Sequence, residues 1–157
     1  MNAIVAIRFR PARAALVAMA LAFAPAAFAQ GAREAPLPVV SLKIAGQALR
    51  VEVVSTPEQR AKGLMHREKL GRNDGMLFIF DEPGYHAMWM MNTLIPLSVA
   101  FVDGEGRILN IEDMAPKTLD SHAAQGPARY AVETNKGWFA ERGIKPGDRV
   151  TGLPKPR

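Results

Sequence analysis

Six consecutive residues, His86 to Met91, hold three methionines, a tryptophan and a histidine, and the run continues into Asn92, Thr93 and then Pro96. Two chemistries suit such a stretch. Thioether and imidazole groups are soft ligands for Cu(I). On an extended strand His86, Met88 and Met90 fall on one face, successive side chains starting roughly 6.5 to 7 Å apart, and so form the candidate metal set. The second chemistry uses different atoms. Trp89 supplies a broad apolar plate with one N–H, while Asn92 and Thr93 supply donors and acceptors just before Pro96 removes a ladder hydrogen bond. An aromatic plate beside an amide and a hydroxyl suits a sugar or another small neutral molecule, because ring faces stack on C–H edges while polar groups fix orientation. His66 and Arg67, from the segment after the first expected helix, complete this candidate ligand site. Core packing competes with both readings, since methionine fills irregular apolar space and polar groups at a strand end serve the turn. Met88 and Met90 are therefore read first as core, and the group around Trp89 as the shallow binding site.

Catalytic patterns are weaker. Asp120, Ser121 and His122 carry the letters of a nucleophilic triad, but sequence neighbours cannot line up nucleophile, base and orienter. Glu112 with Asp113, and Asp81 with Glu82, are adjacent acids whose side chains diverge on a strand, unlike carboxylates set across a scissile bond. His66, His86 and His122 are too scattered to specify zinc by spacing. No metalloprotease, nucleophile-elbow, phosphate-loop or dinucleotide motif occurs. The expectation is a non-catalytic module with no cofactor; a Cu(I)-handling protein using His86, Met88 and Met90 is the alternative, and an uncharacterised hydrolase the third reading.

The compartment is more legible. Arg8, Arg10 and Arg13 precede an apolar run over Ala14–Ala24, and Ala27, Phe28 and Ala29 form a small-x-small cleavage site, which together predict a signal peptide over residues 1–29 cut after Ala29. The apolar run is too short to span a bilayer, and no adjacent arginine pair marks the twin-arginine route. The expected mature chain is a periplasmic or secreted monomer with no membrane attachment. Without the three leader arginines the formal charge of +5 becomes about +2, with no polybasic tract, so nucleic acid is not an expected partner. The chain has no cysteine, which excludes disulfides and a lipoprotein anchor.

The elements that must position these residues follow from patterning. Residues 30–38 read as a flexible lead-in and 39–154 as one domain. Val40, Leu42 and Ile44, then Leu49, Val51 and Val53, alternate with polar residues around Ala45-Gly46-Gln47, predicting a hairpin. Thr56, Pro57, Glu58 and Gln59 predict a capped helix ended at Gly63. Asn73-Asp74-Gly75 reads as a turn into a strand over Met76–Phe80, and the tryptophan stretch as a strand up to Thr93. A further hairpin is expected from Leu97–Val102 and Arg107–Met114 around Asp103-Gly104-Glu105-Gly106. Then come a loop over 115–127, a strand over Ala128–Glu133, a short helix capped by Asn135 and stopped at Gly143, and a last strand over Arg149–Leu153. This is a mostly β domain, a sandwich or partly closed barrel with two short helices.

The run GLMHRE at Gly63–Glu68, GMLFIF at Gly75–Phe80, WMMNTLIPL at Trp89–Leu97, the turn at Asp103–Ile108 and GIKPGD at Gly143–Asp148 resemble, in order and spacing, the bacterial and archaeal family called domain of unknown function 192. The likeness covers about residues 40–153. It implies a β-sandwich of jelly-roll type, often exported, and carries no established activity. Two positions depart from the family pattern. Met88 and Met91 stand where relatives usually have Phe and Lys, and Ser98 stands where they usually have Asp.

Overall fold

The structure, a computed structural model, describes residues 35–155; the leader expected over residues 1–29 lies outside the described residues. In chain order the elements are β1 (Val39–Ile44), β2 (Gln47–Val54), α1 (Pro57–Lys62), β3 (Asp74–Gly84), β4 (Ala87–Met88), β5 (Leu97–Val102), β6 (Ile108–Met114), β7 (His122–Ala123), β8 (Ala128–Asn135), a 3-10 turn (Ala140–Arg142) and β9 (Val150–Thr151). The chain is mostly β, as expected. Its layering differs: seven strands form a single sheet in the order β6-β5-β8-β3-β2-β1-β9, not the two stacked sheets of a jelly-roll sandwich.

Two features produce this arrangement. The first hairpin closes through Ala45 and Gly46, both at positive φ, which gives β1 and β2 a tight antiparallel register. From β2, α1 then carries the chain over to β3, which pairs with β2 in parallel from Arg50↔Asp74 to Val54↔Phe78. Parallel neighbours need such a crossover. The two ends of the sheet also approach each other. Arg107 and Arg149 form an isolated bridge, Ile108 N–H donates to the Asp148 carbonyl at 2.9 Å, and Val150 N–H donates to the Gly106 carbonyl at 2.7 Å. The sheet therefore curls into an open half-barrel.

Alternation along the strands separates two apolar clusters. Leu77 and Ile79 of β3 point to the inner side, with Leu42, Ile44, Leu49, Val51, Val132 and Val150. Edge residues Ile108 and Val150 belong to this cluster, which marks it as the side toward which the sheet curls. Trp138 and Phe139 plug it. Met76, Phe78 and Phe80 point outward and meet Leu64, Met90, Leu97, Phe101 and Met114.

Local signals fared differently. At α1 the expected capping box is present: Gln59 N–H donates to Thr56 Oγ1 at 3.2 Å, Thr56 N–H to Gln59 Oε1 at 3.3 Å, and Gly63 is the C-cap. The second expected helix is only the 3-10 turn, and Asn135 does not cap it. Its side-chain amide instead donates to the Gly71 carbonyl at 2.9 Å, a loop acceptor 64 residues away. Gly143 ends the turn in the left-handed conformation, and Ile144 N–H folds back on the Phe139 carbonyl at 3.0 Å. The tryptophan stretch is extended only at β4, which pairs with β7 inside the expected loop. After Met88 the chain turns: Thr93 N–H donates to the Met90 carbonyl at 3.1 Å, and Asn92 takes φ 56°, a conformation asparagine tolerates. Gly75 belongs to β3 and not to a turn. A Cβ there would lie 2.4 Å from the Glu133 carbonyl, so only glycine admits the close approach of β8.

Candidate functional site

A cavity lies on the outer face, between α1, the end of β3 and the segment from His86 to Thr93, with a volume of about 420 Å³. Gly63 shapes its helical wall. Its backbone, at φ 46° and ψ −130°, needs glycine, and an added Cβ would sit 3.2 Å from the Phe78 ring. The β3 wall is Phe78 and Phe80. His86 stacks on Phe80, ring centroids 3.7 Å apart and planes at 15°, with its Nε2 2.9 Å from the Glu82 carbonyl. Arg60 closes one end, its guanidinium bonded to the Ile79 carbonyl at 2.9 Å and to Asp81 Oδ2 at 2.8 Å.

The structure brings some of the sequence-derived residues together and separates others. Trp89 lines the cavity and stays 56% exposed at its mouth, and Thr93 lines it while almost wholly buried. The Thr93 hydroxyl makes one long bond, 3.4 Å to the Met91 carbonyl. Asn92 is exposed and does not line the cavity; its carbonyl accepts from His66 N–H at 2.9 Å, a main-chain tie between the two segments. Arg67 also lies outside the cavity. It clasps Glu52 through both terminal nitrogens, the Nη1 bond being 2.8 Å, beside a second groove near Leu70 and Asp74.

The candidate copper trio is split, because the turn after Met88 ends the alternation that would have aligned it. His86 and Met88 line the cavity, whereas Met90 is 0% exposed within the outer cluster. Among the described residues no group of three or more histidine, aspartate or glutamate side chains is placed to hold a metal ion. Asp120 and Ser121 are exposed, and His122 sits half-buried in β7 with an Nε2 that has no hydrogen-bond partner among the described residues. Ser98, at the position that departs from the family pattern, is buried between β6 and the turn after β8; its hydroxyl donates to Asp113 Oδ1 and accepts from Gly137 N–H at 2.9 Å.

The residue that sequence reasoning missed is Glu133. It stands on the cavity floor in β8, which lies between β3 and β5, and is only 4% exposed. The sheet register places Glu112, Val99, Glu133, Met76 and Glu52 in one row across five strands, all on the outer face. Directly opposed residues share a face, so the flanking neighbours of Glu133 are apolar, and the other two glutamates stand two strands away, on the order of 10 Å. Among the described residues no hydrogen bond or ion pair to its carboxyl is present, and burial raises its pKa to about 8. The sequence signal was thin. A strand read as ending at Glu133 leaves the acid at a terminus, where carboxylates are ordinarily solvated.

The family model of DUF192, described as uncharacterized ACR, matches residues 40–152. No curated protein matches. A solved structure of a proposed transcription regulator from Sinorhizobium meliloti 1021 is similar at 34% identity and TM-score 0.73, over 76% of this chain and 97% of that one. A protein of unknown function from Novosphingobium aromaticivorans DSM 12444 is similar at 38% identity and TM-score 0.71, over 73% of this chain and 85% of that one. Of the stretches that carried the resemblance, those at Gly63, Gly75–Phe80 and Trp89–Leu97 contribute walls of the outer cavity, and the chain belongs to the DUF192 family.

Proposed function

We propose that the chain is an exported, monomeric, non-catalytic binding module that holds a small neutral ligand, of the carbohydrate or aryl-alcohol type, in the outer cavity. The observation that carries this reading is the combination of a hollow of about 420 Å³, walled in part by Phe78, Phe80 and Met88, with a half-exposed indole at its mouth. A buried tryptophan would be ordinary core; an exposed one beside Phe78, Phe80 and Met88 leaves an apolar plate open to a partner. Thr93, with its weakly engaged hydroxyl, adds a polar point of attachment.

The regulator description of the Sinorhizobium relative is not carried over to nucleic-acid binding. Phosphate contacts need bare basic clusters, whereas Arg50, Arg60 and Arg67 are each paired with a carboxylate, Asp74, Asp81 and Glu52 in turn. Copper handling loses support with the burial of Met90, and no observation favours a hydrolase.

The test is thermal denaturation with a panel of neutral sugars and aryl alcohols. At least one is expected to raise the melting temperature of the protein, and Trp89→Ala to abolish that rise while leaving the unliganded melting temperature in place. A Trp89→Ala protein that melts far lower on its own would mean the indole is structural, and the reading would fall.

A further inference from the structure

We propose that Glu133, in its uncharged form, is the anchoring contact of the outer cavity, donating a hydrogen bond to an oxygen acceptor of the bound ligand. The inference rests on the reading of that cavity as a binding site, and adds the ligand's polar chemistry: a neutral carbonyl or hydroxyl compound with an apolar body, not an ammonium ion.

Geometry supplies the argument. Glu133 lines the cavity yet is 4% exposed, so its carboxyl meets little space other than the hollow itself. Its flanks in the sheet are Met76 and Val99, and Phe78 and Thr93 line the cavity with it. A buried polar group without a partner is costly, and native proteins nearly always provide one. The cavity that Glu133 lines is the space from which such a partner can reach it. The charged and titratable groups facing the same hollow are Arg60 and Lys62 of α1, Asp81 and Glu82 of β3, and His86. Arg60 is tied to Asp81, and His86 lies on the Glu82 carbonyl. Burial is the cause of the raised pKa of about 8, with no nearby charge contributing, so at neutral pH the carboxyl is an O–H donor. A protonated acid flanked by Met76 and Val99 is suited to an oxygen acceptor; an ammonium ligand would instead require the carboxylate.

Benzyl alcohol, benzamide and benzylammonium are the probes, each a single ring with one polar tip, followed by NMR through the Trp89 indole N–H of the purified protein. Benzyl alcohol or benzamide is expected to bind at pH 7 and to weaken about tenfold by pH 9, as a site needing the protonated form with a pKa of about 8 requires. Glu133→Gln keeps a donor and should bind equally at both pH values; Glu133→Ala should bind at least tenfold more weakly at pH 7. If the neutral probes perturb the indole but bind with no pH dependence, and Glu133→Ala matches the parent, the anchoring role is overturned and the pocket stands. Preference for benzylammonium, strengthening as pH rises, overturns it too. Should no probe move the indole signal, both the pocket and the anchor fall.

Discussion

The two faces of the half-barrel are built from the same strands and differ in almost everything else. Inside, Leu42, Ile44, Leu77 and Val132 meet Trp138 and Phe139 in a cluster whose polar atoms are satisfied at its margin. Trp138 Nε1 donates to Asn73 Oδ1 at 3.2 Å, Arg142 lies 4.3 Å over the same ring, and Tyr130 Oη reaches the Pro154 carbonyl at 3.0 Å. Outside, Met76, Phe78 and Met114 meet the segment carrying Met88 and Met90, α1 walls the cavity beside them, and a carboxyl stands among them. The inner side is closed by the curl of the sheet together with the Trp138–Phe139 plug. The outer side must be covered by loops, which do not tile a surface as closely, and the cavity is what they leave. The inner face is closed core, whereas the outer face carries a second apolar cluster and the cavity proposed above as the binding site.

Several measurements break or sharpen this contrast. Trp138→Ala should lower the stability of the inner face by about 3–5 kcal/mol in urea denaturation, the usual range for emptying a buried aromatic site. A loss under 1 kcal/mol would show that the inner cluster is not the main source of cohesion. Glu133→Gln should act in the opposite direction. The folded pKa of Glu133 lies near 8, above its ordinary value of 4.5, so the stability associated with the neutral carboxyl is fully present below 4.5 and is lost as pH rises through 8. Glutamine has no such dependence. The variant is expected to match the parent near pH 4 and to exceed it at pH 7 by up to about 3 kcal/mol, the differential implied by the pKa gap up to that pH. A parallel pair of pH–stability curves would contradict this.

Gly63→Ala comes next. With φ 46° and ψ −130°, and Phe78 3.2 Å from the new Cβ, it should cost about 1–3 kcal/mol and distort the cavity wall. The same test reads both effects if probe binding is followed along with melting. Trp89→Ala should be the mildest for folding, within about 0.5 kcal/mol, because a half-exposed side chain contributes little burial. Its effect is expected on ligand-induced stabilisation alone.

Legibility in the sequence follows the range of the interactions concerned. The Thr56 capping box, the Ala45-Gly46 reversal and the Gly143 stop were readable because each is settled by residues within five positions of one another. The strand expected up to Thr93 failed after Met88, where the chain meets the 117–118 loop: Met90 N–H donates to the Thr118 carbonyl at 3.2 Å and Lys117 N–H to the Thr93 carbonyl at 3.1 Å. Those partners are distant in sequence, and alternation of residue types carries no trace of them. The sandwich expectation failed in the same way, since short alternating strands suit any antiparallel layering and nothing local announces that β2 and β3 run parallel. In the candidate site, Trp89 and Thr93 were identified and do line the cavity. His66, Arg67 and Asn92 have other places, and Glu133 passed unnoticed at what read as a strand end.

By itself, then, the sequence determined a mostly β chain, its family, the positions of most strands and the capped helix, because hydrophobic period and turn chemistry are local properties of the backbone and its side chains. Tertiary structure alone decided that Met90 is core and Trp89 is not, that Gly75 must yield to a neighbouring carbonyl, and that one glutamate lies beneath a hollow. The physical reason is that burial belongs to a residue's place between strands. That place depends on which strands become neighbours, and here the neighbours come from segments far apart along the chain.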